Sequence, residues 1–201
     1  MQAHFHVSDT VNSPLVRGLL ALLLWASILL GLSIASSPAA AQREWLPTLG
    51  FGYAYDATEG SRGHGSLVSG GSETRWLNGL SVGIHSGVRL LGFPEGAASR
   101  HRIGIPLDIN LGYALDIITL VPSVHAGFSS NLDLGAGTRA QAGLHGTAML
   151  AYAVNFDHRV ALAATYRHWL LETPAPGSGP SPSGALSHSL DISLRWIWVL
   201  W

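Results

Sequence analysis

His101–Leu115, HRIGIPLDINLGYAL, decides the fold. Ile103, Ile105, Leu107, Ile109, Leu111, Tyr113 and Leu115 fall at every second position, with Gly104, Pro106, Asp108, Asn110, Gly112 and Ala114 between them. A period of two held this long is a strand signal and is incompatible with an amphipathic helix. One face is continuously large and apolar. The other is small and polar.

The pattern recurs in both directions along the chain. Leu80, Val82, Ile84, Val88 and Leu90 alternate with Ser81, Gly83, His85, Gly87 and Arg89. Leu144, Ala148, Leu150, Tyr152 and Val154 do the same, and so do Val160, Leu162, Ala164 and Tyr166. In the C-terminal stretch Ser187–Trp201, Leu190, Ile192, Leu194, Trp196 and Trp198 share one face, opposite Asp191, Ser193 and Arg195. Asn78-Gly79 reads as a two-residue type I′ hairpin, which needs positive φ at both central residues. Asp116 and Asp157-His158 mark two more tight turns. Gly-, Ser- and Pro-rich stretches at 57–65, 92–100, 130–138 and 173–184 read as longer loops. The expectation is eight strands, at 45–56, 66–77, 80–91, 102–115, 117–129, 139–155, 159–171 and 187–200.

The first 41 residues are of a different kind. A polar stretch with one basic residue, Arg17, precedes the apolar run Gly18–Ala35 and then Ala39-x-Ala41. This is the layout of a cleaved secretory signal, the alternative being an uncleaved anchor. The division expected is a signal peptide at 1–41 and one domain at 42–201. The chain has no cysteine, which excludes a disulfide framework, a Cys zinc site and a lipoprotein anchor. Formal net charge is −1 and every basic residue is an arginine, with no basic arm to suit nucleic acid. No cofactor is implied.

Only 11% of the chain is charged, too little to coat the outside of a soluble barrel. The apolar faces are therefore expected to look outward toward lipid, in an all-β, antiparallel, up-and-down transmembrane barrel of eight strands. An aromatic girdle is expected of Trp45, Trp76, Tyr113, Phe156, Trp196, Trp198 and Trp201 at the short-turn end, and of Phe93, Phe128, Tyr166 and Trp169 at the other.

The chain resembles the small eight-stranded outer-membrane β-barrel family, which includes the transmembrane domain of outer-membrane protein A. The resemblance rests on the Leu111–Asp116 hairpin, the Val121–Phe128 strand and the aromatic C-terminus. It implies a Gram-negative outer-membrane protein exported by the general secretory route, in contact with outer-membrane lipid and inserted as a monomer by the barrel-assembly machinery. Two features depart from the pattern. Trp201 is out of phase with Trp196 and Trp198, and Pro106 and Pro122 lie inside strands, where bulges are the usual remedy.

The inward list comprises His85, Arg89, Asp108, Asn110, His125, Gln141, His145, Asn155, Arg167, Asp191 and Arg195. In an interior that side chains nearly fill, Arg89, Arg167 and Arg195 are expected to pair with Asp108 and Asp191. That reading makes the protein a structural or interaction component of the envelope, without catalysis. Alternatives are a narrow porin-like or hydrophobic-ligand conduit, a metal held by His85, His125 and His145, and a lipid A-modifying enzyme built on His64-Gly65-Ser66 or Ser187-His188-Ser189 with Glu172. The loops lack clustered aromatic anchors, and Arg62, His64, Arg100 and His101 are their exposed basic residues.

Overall fold

Large β-branched, leucine and aromatic residues at every second position favour a pleated surface with one greasy face. A computed structural model places all these segments in strands. It describes residues 43–58, 61–95, 98–134, 139–172 and 187–201; the expected signal segment lies outside the described residues. The strands are β1 (Arg43–Thr58), β2 (Ser61–Trp76), β3 (Leu80–Glu95), β4 (Ala98–Ala114), β5 (Leu120–Leu134), β6 (Arg139–Ala153), β7 (His158–Glu172) and β8 (Ser187–Trp198). Each pairs antiparallel with its neighbours in sequence, and β1 pairs with β8 to close the barrel. Closure leaves no unpaired edge.

The polarity of the wall is inverted relative to a soluble barrel. Leu49, Phe51, Ile84, Leu111, Val124 and Leu194 are exposed on the outside, while Arg89, Asp108, Arg167 and Asp191 are buried inside. Outward apolar positions run from Ile103 to Tyr113 on β4 and from Leu190 to Leu200 at the C-terminus. Ten steps of about 3.4 Å at a tilt of about 35–45° give about 24–28 Å, which matches the apolar band of about 25 Å that crosses an outer membrane.

Several boundaries differ from the expected ones. Of the Gly- and Ser-rich stretches at the loop end, 173–184 lies outside the described residues. Those at 57–65 and 92–100 are largely ladder, since β1 and β2 pair out to Thr58 and Ser61, and β3 and β4 to Glu95 and Ala98. The glycines there make room rather than loops. A Cβ on Gly63 would lie 2.3 Å from the Phe93 ring, whose side chain is buried with Ala54, Leu67 and Leu91.

At the opposite end, residues 77–79 form a three-residue connection, with the Gly79 amide on the Trp76 carbonyl at 2.9 Å. Among the described turn residues here only Gly79 has positive φ (86°), so this is not the expected type I′ turn. A three-residue hairpin needs just one left-handed residue. The strand expected from 117 begins at Leu120, because Ile117 and Leu120 close a tight turn over Ile118, which holds φ 55°. β6 ends at Ala153, leaving Asn155 in a turn where its side chain accepts the Asp157 amide at 2.9 Å.

Neither proline needs a bulge. Register is the same on both sides of Pro106, which interrupts the β3–β4 ladder opposite Gly87, and Ser86 donates its hydroxyl to the Pro106 carbonyl at 2.9 Å. Pro122 pairs in register near the start of β5. The register shift that does occur among the described strands lies at Ala142/Gly143, against β7. The C-terminus also keeps one register: Leu200 bridges Trp45 in phase with the β1–β8 ladder, and Trp201 projects beyond it, 77% exposed.

Candidate functional site: the barrel lumen

Alternation turns every second side chain into the interior, and in the middle of the barrel most of these are polar. In the middle of the barrel, Asp108 from β4 and Asp191 from β8 hold the guanidinium of Arg167 from β7 between them. Arg167 donates to Asp108 through Nε (3.0 Å) and Nη2 (2.6 Å), and to Asp191 through Nη1. Arg89, from β3, donates through Nε to Asp191 (3.1 Å) and through Nη2 to the Tyr55 carbonyl (3.0 Å). The Ser129 hydroxyl donates to Asp108 and lies 3.1 Å from Nδ1 of His145. Side chains of six strands, β3 to β8, and the β1 backbone at Tyr55 are thereby tied together across the lumen.

The structure puts Arg195 elsewhere than expected. Its guanidinium is bonded to the hydroxyls of Ser193 (3.2 Å) and Thr165 (3.5 Å) rather than to an aspartate, because Arg89 and Arg167 already take both aspartates. Asn110 donates its amide to His85 (3.1 Å), and Gln141 accepts from Asn131 (2.9 Å) nearer the loop end. A cavity of about 10 Å³ remains among His85, Asp108, Thr165, Arg167, Asp191 and Arg195, room for about one water.

The three inward histidines do not converge. His85 is on Asn110, His145 on Ser129, and His125 faces Glu73 at 3.1 Å. Gly112 leaves the space that the His125 ring fills; a Cβ there would sit 1.9 Å from it. Among the described residues no group of three histidines or carboxylates could hold a metal ion. Of the two serine–histidine fragments, alternation splits Ser187-His188-Ser189 and separates His64-Gly65-Ser66 from the inward acid. Ser187 and Ser189 are buried inside while His188 points outward, and His64 and Ser66 face outward, away from Glu172, which meets Gln141.

Below this network the lumen is sealed twice. An apolar layer of Leu46, Ala114, Val121, Ala151, Ala161, Ile197 and Val199 lies toward the short turns. Beneath it Glu44 takes Arg75 (Nε at 2.8 Å) and Arg159 (3.1 Å), and Arg75 reaches on to Asp116 (3.2 Å). Neither Glu44–Arg75–Arg159 nor Glu73 was singled out from the sequence. β2 is too rich in glycine and serine for its alternation to show, so the inward parity of Glu73 and Arg75 emerges only once the ladder is set.

Of the expected girdle residues, Trp45, Tyr113 and Trp196 are exposed on the outer wall, and the Trp45 indole donates to Ser72. Trp76 and Trp198 are half-buried, and Phe156 and Trp201 project at the turn end. Phe128 and Tyr166 face outward, but Phe128 pairs with Ile109 in the middle of the β4 band rather than at the loop end where it was expected. Trp169 and Phe93 do not face outward. Trp169 is 4% exposed and points inward, since it shares the parity of Arg167 on β7; it pairs with Gly143, whose missing Cβ lets the β7 backbone approach.

No family model and no curated protein matches the sequence. Among solved structures, the chain is similar to Neisserial surface protein A (15% identity, TM-score 0.59, covering 77% of this chain and 96% of that one). It is also similar to Ail, the attachment invasion locus protein of Yersinia pestis (11% identity, TM-score 0.51, covering 79% and 99%). The fold is thus that of the small eight-stranded outer-membrane β-barrels.

Proposed function

We propose that this chain is a bilayer-spanning barrel of the bacterial outer membrane that acts as a structural or interaction component of the envelope, with no catalytic centre. The observation that carries this is the combination of an apolar outer wall with an interior closed by its own side chains. The band height suits the bilayer, and the similar solved barrels add weight to an outer-membrane setting. Lipid is the partner of the outer wall, and closure of all eight edges suits a monomer inserted by the barrel-assembly machinery.

The filled lumen argues against conduction. A guanidinium held by two carboxylates in the barrel centre cannot move aside without leaving buried charge unpaired. Planar-bilayer recording of the purified barrel tests this. We expect no unitary conductance steps from the wild type, and regular channel events would overturn the closed-lumen reading.

A further inference from the structure

The strand carboxylates whose side chains are described all turn to one side of the wall. The carboxylates of Glu44, Asp56, Glu73, Asp108, Asp133 and Asp191 are all buried inside the barrel, and Glu172 accepts from the inward Gln141 amide (3.4 Å). These are all the strand carboxylates whose side chains are described. Five strand histidines take the other side while His85, His125 and His145 stay inside: His158 lies at the short-turn end against Trp196 (ring centroids 5.4 Å), and four lie at the loop end. His64, His101, His168 and His188 share the outward parity of Val68, Ile103, Tyr166 and Leu190 on their own strands.

Their height is as informative as their direction. His101 is the first outward position beyond Ile103, His188 the first beyond Leu190, and His168 the first beyond Tyr166. Toward the loop end the last described outward apolar residue of β4 and of β8 is thus followed by an imidazole, while on β7 the exposed Leu170 and Leu171 lie beyond His168. The ladder links them laterally: His168 is opposite His188, Tyr55 is opposite both Leu190 and His64, and Gly92 lies between His64 and His101. Tyr53 stacks on His64 (centroids 6.4 Å apart) and Tyr166 on His188 (5.9 Å). Arg62 is the next outward position above His64, opposite Ala57, which in turn faces His188. Among the described residues, the groups facing these imidazoles are tyrosines, Arg62 and one another.

We propose that this arc, running over β7, β8, β1, β2 and β4, is a binding site for the phosphate groups of anionic lipid headgroups in the leaflet at the loop end. The inference rests on the bilayer-spanning reading. Headgroup phosphates begin where the hydrocarbon stops, at the level to which tyrosines anchor. Imidazole and guanidinium N–H groups donate to phosphate oxygens, and charge assistance strengthens those bonds. Among the described residues every strand carboxylate turns inward, so none of these competes on the outer wall for the donors or repels the anion.

The test is electron spin resonance of the full barrel in phosphatidylcholine vesicles, with spin-labelled phosphatidylglycerol or spin-labelled phosphatidylcholine as the probe. We expect the anionic label to associate several-fold more strongly than the zwitterionic one at about pH 5.5. The preference should weaken toward about pH 8.5, across the range where imidazole changes charge. The combined variant His64→Gln, His101→Gln, His168→Gln and His188→Gln should lose the preference, and the corresponding arginine variant should keep it at both pH values.

Equal association of the two labels with the wild type, or an undiminished preference in the glutamine variant, would overturn the proposal. So would displacement of the label by inorganic phosphate beyond the effect of chloride at equal ionic strength, which would mark a site for free phosphate. Each sample is also run unboiled on a gel. A heat-shifted barrel without lipid preference refutes this inference alone, whereas a chain that never enters the vesicles refutes the bilayer reading on which it stands.

Discussion

The two faces of β8 carry opposite environments at adjacent positions. Asp191, Ser193 and Arg195 are inside, where Asp191 accepts from both Arg89 and Arg167. Ile192, Leu194 and Trp196 are outside and in contact with no protein core. The inner face is specific: Asp191, Ser193 and Arg195 have named partners, and removing Asp191 strands two guanidiniums. The outer face is generic, because lipid tails replace one apolar side chain by another at little cost. In a soluble barrel these roles are exchanged, with jigsaw packing inside and a tolerant polar surface outside. The difference teaches that specificity in this molecule lies in polar bonds, and apolarity serves only to match a solvent.

The largest expected effect comes from breaking the inner face. Asp191→Ala leaves two buried guanidiniums short of a carboxylate and should cost about 3–5 kcal/mol in reversible denaturant unfolding from vesicles. Its outward neighbour sharpens the contrast, since Ile192→Ala should cost less than about 1 kcal/mol because lipid fills the space. Charging the outer face comes next. Leu194→Arg should destabilise the inserted barrel by about 2–4 kcal/mol. A value near zero would mean that this face meets water.

The third contrast divides the C-terminus. Replacing Trp196 and Trp198 together by alanine should lower the heat-shifted, assembled fraction more than deleting Trp201, which projects past the ladder. The reverse order would show the register of β8 to be wrong. The smallest effect is a gain. Ile118 is 97% exposed and held at φ 55°, a conformation costly for a β-branched residue. Ile118→Gly should stabilise the barrel by about 1 kcal/mol in the same unfolding assay.

Where alternation was strong the sequence could be read directly. The run His101–Ala114 lies in β4 with its parity as expected, and Arg89, Asp108, Asn110, Arg167 and Asp191 project inward from the parity of their own strands. The loop end was misread because glycine and serine score as loop formers, although their backbones pair as well as any and Gly63 is there to admit Phe93. Trp169 was misassigned on residue type, against the parity of its own strand. Partner choice was illegible: nothing in the spacing says that Arg89 and Arg167 would occupy both aspartates and leave Arg195 to Ser193 and Thr165. Heights in a tilted barrel depend on register, and register is a property of pairs of strands.

The central claim is that the apolar wall faces lipid, and gel mobility of the outer-membrane fraction with and without boiling tests it most directly. A closed, bilayer-inserted barrel resists SDS, so the account predicts a band in that fraction that runs compactly unboiled and shifts on heating. A protein recovered in the soluble fraction, with the same mobility before and after boiling, would contradict it.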